Sequence, residues 1–187
     1  MKRPTLKIFS LLLGIFISGV AHAANPALIP SVPTIATLRA LGSAAPQYTT
    51  VQVMGYNTSG DGGGGLFSWS PASTATAEPC ITFQATGVTT GRFIRQLNNN
   101  SITLLQCGAK SDGTTNDTSA VQAAFTAIPT SGVVNVPKGS GCYKISSTLT
   151  ITKDMTVQGI GCLTWATSGI NGISVSASNV TINGITL

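Results

Sequence analysis

Apolar and polar residues alternate in short runs along most of this chain. Between Thr49 and Tyr56 the apolar positions Val51 and Val53 keep a period of two, which turns one face of a strand inward. Residues 66–69, 81–83 and 92–94 continue the extended pattern in short pieces. The run from Asn57 to Gly65, with Asp61 among its glycines, predicts a tight polar turn between two strands. It lacks the Lys-Ser/Thr ending of a phosphate loop, and no helical pattern follows it. Helical spacing is found twice. Residues 35–41 predict a short helix. Val121, Ala124, Phe125 and Ile128 fall on one face of a second, over 118–128. Asp112-Gly113 predicts a turn ahead of it, and Asp117 or Thr118 is placed to accept the free N–H groups of its first turn. Pro129 stops it and Ser131-Gly132 turns the chain.

Beyond that helix the pattern repeats. Met155-Thr156-Val157-Gln158-Gly159-Ile160 returns as Val180-Thr181-Ile182-Asn183-Gly184-Ile185, 25 residues later. Leu149-Thr150-Ile151 returns as Ile173-Ser174-Val175 after 24, and residues 133–136 form a plausible earlier rung. Short β-branched strands between Gly, Ser and Asn, at a period in the low twenties, are the mark of a β-solenoid. Each coil turns apolar side chains inward and stacks on the next.

Composition adds compartment and chemistry. Lys2, Arg3 and Lys7 precede an apolar run over 8–17, and Ala21-His22-Ala23 supplies a cleavage signal. A spanning helix needs roughly 20 apolar residues, so the run predicts a bacterial-type export signal over 1–23 rather than an anchor. The expected location is secreted, periplasmic or extracellular, with no membrane association after cleavage. Of ten Lys and Arg, three leave with that segment, so seven remain against five acidic residues. The seven are scattered, which leaves no nucleic-acid footprint. His22, the one histidine, leaves too. The exported chain then has no imidazole for Ser-His-Asp chemistry or for a metal.

Cys80, Cys107, Cys142 and Cys162 form an even set in an exported chain and predict disulfides rather than a zinc site. Four cysteines allow three connectivities. Cys142 and Cys162 are 20 residues apart, close to one coil, and stacked coils lie about 4.8 Å apart, within disulfide reach. That favours Cys142–Cys162 and, by elimination, Cys80–Cys107; buried thiols are the alternative.

The carboxylates left after export are Asp61, Glu78, Asp112, Asp117 and Asp154. A glycosidase needs two carboxyls about 5–10 Å apart across the sugar. Asp112 and Asp117 are the only close pair in sequence, and turn and cap roles suit them better. Tyr48, Tyr56, Trp69, Tyr143 and Trp165 could stack on sugar rings or pack in a core.

Gly108 to Thr118 (GAKSDGTTNDT), followed by Ala120-Val121-Gln122-Ala123-Ala124, resembles the opening of the pectate-lyase-like β-helix domain. Val133 to Pro137, Gly139, Tyr143 to Ser146 and Thr156 to Gly161 continue the resemblance over roughly 104–187. Residues 35–95, with Gly60-Asp61-Gly62-Gly63-Gly64-Gly65 before Phe67 and Trp69, resemble the module that precedes such β-helices in phage tailspikes. Asn116 departs from the Asp-Gly-x-Thr-Asp-Asp pattern. The resemblance implies an all-β fold: a right-handed parallel β-helix, first coils only, with an N-terminal capping α-helix and a small preceding β-rich module. The expected organisation is a signal peptide over 1–23, a flexible leader over 24–34, the β-rich module over 35–100, and the cap and first coils over 101–187, truncated at Leu187.

In function, the resemblance implies a secreted lyase or hydrolase acting on extracellular or cell-surface polysaccharide. Its catalytic carboxylates, arginines or calcium ligands would lie on later coils. No catalytic residue and no cofactor is expected in this chain, although calcium could serve a full-length lyase. The alternative is a tailspike-like adhesin or glycan-binding stalk, with a homotrimer as the possible assembly.

Overall fold

The computed structural model describes residues 29–166, 169 and 172–187. The expected signal peptide and the first residues of the leader lie outside them. Nearer the N-terminus, alternation closes a five-stranded sheet. Its strands are β1 (Ser31–Val32), β2 (Thr50–Val53), β3 (Gly65–Ser70), β4 (Thr82–Phe83) and β5 (Arg92–Arg95), in the spatial order β1-β2-β3-β5-β4. The four longer-range neighbours β2, β3, β5 and β4 pair antiparallel, and β1 adds a short parallel edge to β2. Val51, Val53, Phe67, Phe83 and Phe93 meet on the inward face. The helix α1 (Ile35–Ala40) covers it with Ile35 and Leu38, and Thr34 Oγ1 accepts the Thr37 N–H to cap that helix.

Residues 31–34 correct the expectation of a flexible leader. The Gln52 and Met54 amides donate to Pro30 O and Val32 O at 2.8 and 2.9 Å, which fixes β1 on the sheet. A two-residue strand next to Pro33 is too short to show a period.

The second part begins with a two-residue hairpin turn. Asn99 and Asn100 have φ of 51° and 50°, and Ser101 N donates to Asn98 O at 3.0 Å. Both central residues are left-handed, a conformation that Asn tolerates and that reverses a chain tightly. The strands that follow are β6 (Ser101–Thr103), β7 (Gly132–Val136), β8 (Tyr143–Ile145), β9 (Leu149–Ile151), β10 (Met155–Gly159), β11 (Leu163–Trp165), β12 (Ile173–Val175) and β13 (Val180–Asn183). They form three parallel sheets, β6-β7-β10-β13, β8-β11 and β9-β12. From β7 onward the chain visits the three sheets in the same order twice and then returns to the first.

The register explains the repeat in sequence. Gly132 stands beside Met155 and Met155 beside Val180, while Tyr143 pairs with Leu163 and Leu149 with Ile173. Side chains alternate across each strand, so Ile102, Val134, Val157 and Ile182 share one inward row. Val134 and Val157 are 0% and 1% exposed, with Tyr143, Ile145, Leu149, Ile151 and Leu163 in the same core. Ile182, in the same row, is 39% exposed. Gly159 ends β10 at φ 147°, where a Cβ would strike the Val136 carbonyl, so the corner admits only glycine.

The helix α2 (Thr118–Ala127) packs Val121, Ala124 and Phe125 into this core, against β8, β9 and the 3-10 turn Leu104–Cys107. Asp117 stands at its N-cap position but makes no side-chain cap bond, contrary to the expectation for Asp117 or Thr118. Asn116 Oδ1 accepts the Thr118 N–H at 3.1 Å instead. Thr118 uses its hydroxyl to accept the Ser146 N–H at 2.8 Å.

Candidate functional site

Every carboxylate of the described chain is taken up by hydrogen bonds: Asp61, Glu78, Asp112 and Asp117 hold local backbone and Asp154 ties one rung to the next. Asp61 accepts the N–H groups of Tyr56, Asn57, Thr58 and Gly63 at 2.7–2.9 Å, which folds the Asn57–Gly65 run around one side chain. Burial acts to raise its pKa, but those four bonds outweigh it and the net shift is downward. Asp112 accepts the hydroxyls and amides of both Thr114 and Thr115. These bonds, the Thr115 hydroxyl first, hold it well below the usual carboxylate range. Gly113 follows at φ 75° and donates to Cys142 O at 3.1 Å. Asp117 is 2% exposed and accepts the Lys110 and Ser111 amides at 2.8 and 3.0 Å. Glu78 accepts Cys80, Ile81 and Thr82 N–H groups. Asp154 accepts the side-chain and backbone N–H of Asn179, one rung on, which lowers its pKa. A carboxylate saturated by backbone donors is a poor general acid, because protonation breaks those bonds. Among the described residues no three His, Cys, Asp or Glu side chains converge as a metal site.

The aromatic candidates are largely committed inside. Tyr143 is fully buried and donates to Pro137 O at 2.9 Å, and burial pushes its phenol up to about 12. Trp69 lies against Phe93 with ring centroids 4.8 Å apart. Tyr56 packs over Gly108, whose φ of 92° and missing Cβ leave room for the ring.

The two parts meet at a seam. Disulfides join Cys80 to Cys107 across it and Cys142 to Cys162 between adjacent rungs, the latter with Cα atoms 4.8 Å apart. Arg95, 2% exposed, sits between them with no carboxylate bound to it. Its guanidinium donates to the carbonyls of Cys80, Gly64, Gly63 and Gln106 at 2.5–3.1 Å and lies over the Phe67 ring at 4.6 Å. Burial lowers its pKa to about 10, so it stays charged at neutral pH.

The open surface of the parallel sheet is different in kind. Thr103, Asn135, Gln158 and Asn183 form one outward row. Gln158 Nε2 donates to Asn135 Oδ1 at 3.2 Å, and Asn135 Nδ2 to Ser101 Oγ at 2.5 Å. Where this row meets the hairpin turn there is a cleft of about 470 Å³. Sequence reading passed over it; the Asn98-Asn99-Asn100 triplet was the available signal, since paired asparagines favour a left-handed turn.

Residues 31–98 match the family of the phage tail protein small four-stranded beta-sheet domain. That interval holds the five strands of the first sheet, β1 included. Tailspikes recur among the solved structures similar to the whole. The chain carries a tailspike-like module. The tailspike protein of Acinetobacter baumannii bacteriophage Fri1, a capsular polysaccharide depolymerase, matches with a TM-score of 0.58 and 21% identity, over 70% of this chain and 23% of that one. Tailspike protein 2 of Escherichia coli O157:H7 bacteriophage CAB120 matches with a TM-score of 0.63 and 16% identity, over 84% and 20%. Pantoea stewartii WceF, a glycan biofilm modifying enzyme with a tailspike-like parallel beta-helix fold, matches with 0.58 and 16%, over 84% and 26%. No curated protein matches the sequence. The chain spans about a fifth to a quarter of the length of these structures. No helix among its described residues is long and apolar enough to cross a membrane.

Proposed function

We propose that this chain is the N-terminal capping and anchoring portion of an exported protein that acts on polysaccharide through a right-handed parallel β-helix. Residues 35–100 would be the anchoring module and residues 101–187 the cap and first coils. The three sheets visited in fixed order are those coils, with α2 closing their first end. The polysaccharide partner is suggested by the similarity to the Acinetobacter phage tailspike, a capsular polysaccharide depolymerase, and to WceF, a glycan biofilm modifying enzyme. A homotrimer is the assembly we expect if the whole protein works as a tailspike. Export is suggested by the first 23 residues and fits a chain with two disulfides.

The observation that carries the non-catalytic role is the use of all five carboxylates as structural acceptors, four on local backbone and Asp154 on the next rung. Cleavage would then depend on coils beyond these, whether by lyase or hydrolase chemistry, and calcium would belong with those coils. A stalk that binds glycan without cleaving it is the second reading, favoured by the uncharged outward row of Thr103, Asn135, Gln158 and Asn183. The test is incubation of the purified chain with capsular polysaccharide and pectin, followed by size analysis. Unchanged polymer is expected. Shortened chains would refute the assignment, and an intact mass of the native product equal to residues 24–187 would remove the enzyme reading.

A further inference from the structure

The cleft between the hairpin turn and the parallel sheet is polar and free of charge. Gln96, Asn98 and Asn99 form one wall, and Ser101, Thr103 and Gln158 line the side toward the sheet. Among the described residues no Lys, Arg, Asp or Glu lines it. Its volume of about 470 Å³ lies within the range of small-molecule sites.

The walls are set by the fold. The left-handed pair Asn99-Asn100 and the Asn98–Ser101 bridge hold the turn upright beside β6. Gln158 is steered by its bond to Asn135, and Gln96 by a bond from Nε2 to Ser68 Oγ at 2.6 Å. Gln106 has its side-chain oxygen on the Thr103 N–H, so it supports the floor. Carboxamides and hydroxyls each offer a donor and an acceptor. That is the complement of a sugar ring, whose hydroxyls donate and accept at once.

The cations are elsewhere. Arg95 is buried at the seam. Arg92 donates to Ala75 O and Gly91 O, and Lys153 Nζ to Thr126 O. An acidic glycan would gain most from charge-assisted hydrogen bonds, which are about twice as strong as neutral ones, and the cleft supplies none.

We propose that this cleft is a subsite for an uncharged stretch of polysaccharide, made of neutral hexose or N-acetylhexosamine units, and that it does not receive polyuronate. The proposal rests on the polysaccharide reading above and narrows it.

The experiment uses the full chain in calorimetric titration. The probes are oligosaccharides of glucose, galactose and N-acetylglucosamine, with oligogalacturonate beside them. At least one neutral probe should bind, with an affinity insensitive to salt. Gln158→Ala and Asn98→Ala change exposed side chains, and each should weaken that binding about tenfold without moving the melting temperature. Neutral binding indifferent to both variants, or oligogalacturonate binding that both variants weaken, overturns the cleft assignment alone. Failure of every probe, neutral and uronate, tells against the polysaccharide reading itself as well as the cleft.

Discussion

Gln122 takes the place of a neighbouring strand beside Thr150. The Thr150 amide donates to Gln122 Oε1 at 2.8 Å, and Gln122 Nε2 donates to Thr150 O at 3.0 Å. On its other side β9 is paired with β12. One carboxamide from α2 thus satisfies the edge of β9 that no strand covers, which also denies that edge to a second chain.

Gln122→Ala leaves both groups of Thr150 to water. Loss of about 1–2 kcal/mol is expected, measured by urea unfolding. Gln122→Glu keeps the acceptor but sets a carboxylate against the Thr150 carbonyl, so it should not recover wild-type stability. Wild-type stability in Gln122→Ala would show that the edge needs no partner.

Arg95→Met keeps much of the side-chain length and removes the guanidinium. The carbonyls of Cys80, Gly63 and Gln106 then lose the guanidinium, and that of Gly64 keeps only the longer bond from Gln106 Nε2 at 3.4 Å. At least about 3 kcal/mol should be lost. Separate unfolding of the two parts should become visible by fluorescence of Trp69 against Trp165. A loss below about 1 kcal/mol would show that the disulfide alone holds the seam.

The patterns that repeat were legible in advance and the single contacts were not. Alternation marked β2, because one of its faces lies on a core, and the repeat marked β10 and β13 with β7 as an earlier rung. Tailspike-like character was visible in the glycine run before Phe67, inside the segment that matches the phage tail domain. β6 and β11 have three residues each, too few for a period, and unlike the equally short β9 and β12 they have no copy a coil away in sequence. Arg95 read as one more scattered cation, since nothing local reveals that a guanidinium will meet four main-chain oxygens from distant segments. Asp117 or Thr118 was expected to cap α2, but the bonds of Asp117 run backward to Lys110 and Ser111, a choice set by tertiary packing.

Acid should loosen the turns. Asp61, Asp112 and Asp154 have folded-state pKa values below the ordinary one. Their contribution is therefore complete above the unfolded value of about 3.9 and is lost as pH falls through the folded values. Unfolding free energy should be level in these groups from pH 7 to 5 and decline below about pH 4. Asp61→Asn should flatten part of that decline and weaken the protein at neutral pH, because an amide cannot accept from all four donors. An unchanged acid slope in the variant would refute the role given to Asp61.

Replacing Cys142 and Cys162 together by Ser should lower stability by about 3 kcal/mol, the scale for closing a loop of this length. The melting temperature under non-reducing conditions checks it. Thiol titration of the unfolded, unreduced wild type should find no free cysteine, as both pairs are bonded.

The Arg95 site recognises peptide groups and the face of Phe67. A guanidinium that binds carbonyls imposes no identity on the side chains that supply them, beyond the close backbone approach that Gly63 and Gly64 allow. Such a joint is transferable. Another stack of coils offering a glutamine where Gln106 stands, a cysteine where Cys107 stands and a glycine beneath Tyr56 where Gly108 stands could be grafted behind the same module. The front of this protein is thus suited to serve as an interchangeable fitting for different shafts.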